Sequence, residues 1–137
     1  MKISIRFTFN GKGEAALNFY TKVLDGKIES LIRYKDVQDS FDMTGMSEKD
    51  MERIMNSCLY FGDTLISICD QFPGETVSPG NSIMMNISIS DPERLRNIFN
   101  TLAEDGSVII PLAPASWTPL YGLVTDKFGI SWNILLG

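Results

Sequence analysis

Histidine is missing from all 137 residues. It is the commonest metal ligand and the side chain that most readily moves protons near neutral pH. Its absence excludes a Ser-His-Asp triad, a Cys-His pair and every zinc site built on imidazole. Cysteine is nearly missing too. Cys58 and Cys69 are the only two, too few for a Cys-rich zinc or iron–sulfur centre and too few for a disulfide-stapled framework. Neither has an evident activating base, so both read as small apolar strand residues. Basic residues are outnumbered, 12 Lys and Arg against 17 Asp and Glu, for a net charge of −5. They are also scattered along the chain, and a negative field repels a phosphate backbone, so no nucleic-acid partner is expected. No apolar run approaches the ~18 residues of a membrane span. The first eleven residues start as a strand rather than as the apolar core of a signal peptide. A cytoplasmic protein with no membrane partner is therefore the expectation.

What is present is an ordinary globular balance, 44% apolar and 21% charged, at the length of one domain. A chain of this size buries roughly two-thirds of its unfolded surface, enough to hold a core without metal or disulfide. Ile3, Ile5, Phe7 and Phe9 alternate with polar residues, which predicts a strand with one buried face. Ala16, Leu17, Phe19, Tyr20, Val23 and Leu24 are spaced as a helix that Asp25-Gly26 stops. Strand character resumes from Lys27 to Tyr34. Residues 35–56 are polar and Met-rich and read as an excursion. It holds a short helix opening at Ser47-Glu48-Lys49-Asp50 and running to about Met55, with Met46, Met51, Ile54 and Met55 as its apolar contacts. Ser57–Phe61 and Thr64–Asp70 form a hairpin around Gly62-Asp63.

Residues 71–80 contain Pro73-Gly74 and Pro79-Gly80 and read as a linker. Beyond them the pattern returns. Ser82–Ser90 is a strand with Ile83, Met85, Ile87 and Ile89 on one face. Asp91-Pro92-Glu93 is a strong helix start. Leu95, Ile98, Phe99 and Leu102 carry that helix to Asp105-Gly106. Val108–Leu112 is a strand whose Pro111 points to a sheet edge. Residues 114–119 form a proline-flanked loop, and Leu120–Thr125 with Ile130–Leu136 closes a last hairpin around Asp126-Lys127-Phe128-Gly129. Phe19–Ile28 lies over Ile98–Val108 with one residue inserted. An internal repeat decides the fold class: α+β, one domain over residues 1–137 of two tandem βαβββ pseudo-repeats, about 1–72 and 80–137. Their curved mixed sheets are each too small to bury a concave face alone, and are expected to close around a cavity suited to a small-molecule ligand.

This order, with three stretches of sequence, resembles the vicinal-oxygen-chelate superfamily of glyoxalase I, extradiol dioxygenases and bleomycin- and fosfomycin-resistance proteins, and most closely its PhnB-like, demethylubiquinone methyltransferase-like branch. The stretches are Phe9-Asn10-Gly11 with Glu14–Tyr20, then Leu24-Asp25-Gly26-Lys27-Ile28, then Tyr121–Asn133 with its Asp-Lys-Phe-Gly-Ile-Ser-Trp core. The resemblance implies metal ligands near Ile5, Ser67, Met85 and Asn133. None of these is His, Asp or Glu. A one-residue slip gives Arg6, Ile66 or Ile68, Asn86, and Trp132 or Ile134, which is no better. Hard cations want several oxygens and transition metals want imidazole or thiolate, so no metal and no cofactor is expected. The resemblance also implies a homodimer.

The expected ligand pocket is Ile5, Phe7, Ser67, Met85, Trp117, Tyr121, Trp132 and Asn133, with no catalytic residue assigned. Trp117, Tyr121 and Trp132 could stack a planar molecule or simply pack a core. Arg6, Arg33 and Asn86 could anchor an anion or lie on a solvated strand face; alternation sets Arg6 opposite Ile5 and Phe7. Asp70 could act as a base or form a turn, and the charges of 14–29 and 36–50 read as solvated. The Asn10–Gly13 turn lacks the ending of a phosphate loop. Two functions follow: a metal-independent protein binding a hydrophobic or aromatic small molecule, or an enzyme of the same fold using a metal or acid–base site the sequence does not display. A dimer without a ligand is a third.

Overall fold

The computed structural model describes residues 1–40 and 42–137. The chain divides into two compact units, Met1–Ser78 and Pro79–Gly137. The first runs β1 (Ile5–Phe9), α1 (Gly13–Val23), β2 (Lys27–Arg33), a 3-10 segment (Tyr34–Ser40), α2 (Glu48–Met51), β3 (Ile54–Phe61) and β4 (Thr64–Asp70). The second runs β5 (Met85–Ile89), α3 (Pro92–Ala103), β6 (Ser107–Ala115), β7 (Thr118–Thr125) and β8 (Ser131–Leu136). Each holds one four-stranded mixed sheet, in the orders β1-β4-β3-β2 and β5-β8-β7-β6. The α+β class and the βαβββ repeat are thus present in both units. No helix among the described residues is long and apolar enough to cross a membrane.

The repeat extends to strand register. β1 and β4 are parallel with Ile5 beside Ile66 and Arg6 beside Ser67. β5 and β8 are parallel with Met85 beside Trp132 and Asn86 beside Asn133. Both edge strands slip register against their neighbours at the same place, after Ile28 in β2 and after Val108 in β6. Both helices end in the same device. Asp25 and Asp105 adopt positive φ, at 54° and 57°, a conformation Asp tolerates better than most residues. The glycine that follows lets the chain pass tightly: a Cβ on Gly26 would stand 2.7 Å from Leu59 Cδ1, and one on Gly106 would run into the Thr125 carbonyl. α3 has 12 residues against 11 in α1 because it starts one residue sooner after its strand; from strand end to the Asp-Gly step the two halves run the same length, with no inserted residue.

One face of each sheet is covered by its own helix. In the first unit Ala16, Leu17 and Tyr20 of α1 are buried with Phe7, Phe9, Leu59, Ile66 and Ile68, and Tyr20 meets Phe7 edge to face at 5.7 Å. In the second, Leu95, Ile98, Phe99 and Leu102 of α3 are buried with Leu120, Val124, Trp132 and Ile134. Each buried Leu, Ile, Val or Phe among them contributes about 1.5–3 kcal/mol. Gly122 of β7 lets α3 approach, since a Cβ there would meet Phe99 at 2.7 Å and Leu112 at 2.9 Å.

Several boundaries differ from the sequence expectation. β1 begins at Ile5 and β5 at Met85, so Ile3 and Ile83 precede the strands and are exposed. The helix expected to reach Met55 ends at Met51, because Ile54 and Met55 are taken by β3, where Ile54 is fully buried. Position 41 of that excursion lies outside the described residues. The expected 114–119 loop is almost absent. β6 continues through Pro114 to Ala115 and β7 starts at Thr118, leaving a turn of Ser116 and Trp117. An edge strand tolerates proline because one row of its N–H groups has no sheet partner, and β6 is an edge, as Pro111 suggested.

Candidate functional site

Successive strand residues point to opposite faces, so the register sorts the expected pocket residues. Ile5 and Phe7 share the helix-covered face of the first sheet with Ile66 and Ile68. Met85 shares the helix-covered face of the second with Trp132, which is 1% exposed. Ser67, Tyr121 and Asn133 lie on the other, helix-free faces, Ser67 in the first sheet and Tyr121 and Asn133 in the second. The set is therefore not one cluster: Trp132 and Asn133, being neighbours on β8, cannot look the same way.

Trp132 is held in the core by a carboxylate. Asp126, 3% exposed, accepts the indole Nε1–H through Oδ2 at 2.8 Å and the Phe128 and Ile130 N–H groups through Oδ1 at 2.8 and 3.1 Å. The Asp-Lys-Phe-Gly-Ile-Ser-Trp stretch is thus a structural clamp, with Gly129 at φ 90° closing the turn. Asp70 has a matching duty. It is 3% exposed, and its Oδ1 accepts from Gly11 N at 2.9 Å and Gly13 N at 2.8 Å, its Oδ2 from Ile54 N at 3.0 Å. Both oxygens are occupied by backbone, so it is neither a free base nor merely a turn residue. The same bonds consume the N–H groups of the glycine turn after β1. Arg33, weighed as an anion anchor, is bidentate to Glu14 at 2.7 and 2.9 Å and also donates to the Glu52 carbonyl. Glu14 is correspondingly not a bystander: the hydrogen bonds from Arg33 hold its carboxyl below the usual range.

The helix-free face of the first sheet is polar in its middle rows, with Ile32, Tyr60 and Leu65 flanking them. Across it run Arg6, Ser67, Cys58 and Ser30, and beside them Thr8 and Asn56. Cys69 lies there too, its Sγ 3.5 Å from the Thr8 hydroxyl. Asn56 was not singled out by sequence, yet its Oδ1 is buried with no hydrogen-bond partner. The helix-free face of the second sheet mixes aromatic and apolar side chains with neutral polar ones, among them Asn86, Asn133, Thr125 and Ser131. Ile110, Leu123, Asn133 and Asn86 stand in one row. Tyr121 follows Leu123 on the same face, and its hydroxyl donates to Asn133 Oδ1 at 2.7 Å. Trp117, at the tip of the β6–β7 turn, sets its ring edge-on to Tyr121 at 5.2 Å and 69° while remaining 67% exposed. Three expected residues, Trp117, Tyr121 and Asn133, thus come together, and Asn86, expected as an anion anchor, a slipped ligand position or part of a solvated face, joins them by register.

This arrangement can stack a flat ring on Trp117 and Tyr121 and offer it the amides of Asn133 and Asn86. It offers little to a cation. The helix-free positions on the paired first and last strands are Arg6 with Ser67 and Asn86 with Asn133: a guanidinium, a hydroxyl and two neutral amides. No three His, Cys, Asp or Glu side chains gather as a metal set among the described residues.

The family described as 3-demethylubiquinone-9 3-methyltransferase matches residues 1–135. Protein PA1353 of Pseudomonas aeruginosa is 26% identical, with a TM-score of 0.86 over 99% of this chain and 97% of its own. The PhnB protein of Bacillus cereus is 24% identical, with a TM-score of 0.83 over the whole of both chains. A glyoxylase/bleomycin resistance protein/dioxygenase domain from Frankia shares the fold, at 17% identity and a TM-score of 0.66 over 100% of this chain and 91% of its own.

Proposed function

The chain belongs to the 3-demethylubiquinone-9 3-methyltransferase family, and from that premise we propose that it binds a small hydrophobic or aromatic molecule on the helix-free face of its second sheet, and does so without a metal. The carrying observation is the cluster of Trp117, Tyr121 and Asn133. A tryptophan left 67% exposed against a second ring forgoes much of the free energy its burial would give, and an aromatic ligand would recover it. Leu123 and Ile110 extend the apolar surface, and Asn133 supplies a polar contact that fixes orientation. Metal independence rests on the four strand positions just named, where a guanidinium would repel a cation and an isolated amide oxygen would hold one weakly.

The methyl transfer in the family's description needs a donor held beside its acceptor. A nucleotide-type donor is commonly cradled by free N–H groups of a glycine turn after the first strand. Here Gly11 and Gly13 give theirs to Asp70. The residues do not fit that mode of binding.

The test is a thermal-shift screen of the chelator-treated protein against small aromatic molecules, followed by titration of any hit. Trp117→Ala is expected to weaken a hit about tenfold, the effect of losing ~1.4 kcal/mol of stacking. Restoring divalent metal is expected to change nothing. A hit indifferent to Trp117→Ala, or one that requires added metal, would overturn the reading.

A further inference from the structure

We infer that the Asn133 amide is fixed as a hydrogen-bond donor toward the helix-free face, so that the molecule taken up there is a planar aromatic carrying a carbonyl or similar acceptor oxygen. This rests on the binding reading above and adds the ligand's polarity to it.

A primary amide has one acceptor oxygen and two N–H donors, and its orientation follows from whatever its neighbours demand. Tyr121 has a single hydroxyl proton and spends it on Asn133 Oδ1 at 2.7 Å. That bond turns the Nδ2 end of the amide away from the phenol. No acceptor for Nδ2 is found among the described residues, and Nδ2 is not a sealed, unsatisfied buried atom either. Its N–H groups are therefore accessible and unspent. Asn86 stands directly beside Asn133 across the β5–β8 ladder, and its side-chain amide has no hydrogen-bond partner among the described residues. On the other side stands Leu123, which can donate nothing. A ring lying against Trp117 and Tyr121 thus meets an oriented donor at its edge. An acceptor oxygen there gains a bond, whereas a purely apolar edge leaves the amide desolvated and unpaired. Tyr121 acts through Asn133 and is a positioning residue.

Two probes of nearly identical shape separate these cases: 2-acetylnaphthalene, with a carbonyl, and 2-isopropenylnaphthalene, with a methylene in its place. Equilibrium dialysis against the full chain is expected to show the ketone bound about three- to tenfold more tightly, the range of one net hydrogen bond. Asn133→Leu is expected to bring the two probes to equal affinity. Tyr121→Phe, which frees the amide to turn over, is expected to lower the ratio by at least half while Trp117→Phe leaves it in place. Equal affinity of the two probes for the unaltered chain overturns the donor assignment and leaves aromatic binding standing. Failure of both probes to bind overturns aromatic binding and the donor assignment with it.

Discussion

The two units share a register and differ in how they start their helices. In the second, Asp91 caps α3 locally: its Oδ1 accepts from Glu93 N at 3.0 Å and Arg94 N at 3.4 Å, with Pro92 in the first turn. In the first, Lys12 occupies the capping position and makes no side-chain bond. The carboxylate that serves α1 comes from Asp70 at the far end of β4, and the same group also holds the start of β3. One cap is a matter of local sequence. The other exists only once β1, β4 and β3 are in place, so it contributes to tertiary cooperativity rather than to helix propensity.

That contrast is open to direct attack, the largest effect first. Asp70→Ala strands three buried or part-buried backbone N–H groups and is expected to cost about 3–4 kcal/mol in urea denaturation, against about 1 kcal/mol for Asp91→Ala. Equal costs would mean that the long-range carboxylate is no more than a helix cap. Asp126→Ala is expected to fall between, at about 2–3 kcal/mol, because it orphans a buried indole N–H but two of its partners lie in a hairpin turn that water reaches. The smallest effect is on pH dependence. Glu14 in the folded unit titrates below its unfolded value, so the Glu14–Arg33 pair adds stability above the unfolded pKa, and that increment disappears as pH falls through the lower folded pKa. With the Glu14 side chain 51% exposed, the increment is expected to be no more than about 0.5 kcal/mol. Comparing Glu14→Gln with the parent chain at pH 7 and near pH 3 measures it; a gap that widens toward low pH would reverse the sign.

Local patterns in the sequence were informative wherever structure is local. Alternation located the strands, the i, i+3, i+4 spacing of Leu95 to Leu102 located α3, and the paired Asp-Gly steps marked both helix ends. Boundaries slipped where tertiary pairing overrode local preference: β3 captured Ile54 and Met55 from the expected helix, and β7 pairing drew Pro114 into β6. The site was legible in residue type but not in facing. Trp117, Tyr121 and Asn133 stood out as aromatic or polar residues near the C-terminus. Phe7, Met85 and Trp132 stood out for the same hydrophobicity, which in a strand covered on one side marks the helix-facing core. Asp70 was misjudged because its partners lie 57 and 59 residues away, a distance that no window of sequence spans. Asn56 carried no signal at all; only the register places it among Cys58, Ser67 and Thr8.

The pleat of β7 and β8 divides two duties between adjacent residues. Gly122, Ile134 and Trp132 answer to α3, whereas Tyr121 and Asn133 answer to whatever lies on the other side. Exchanging a side chain on the outward set leaves the inward packing untouched. A chain built on this sheet can therefore vary its helix-free face one residue at a time, with α3 and the Asp126 clamp on Trp132 carried along unaltered.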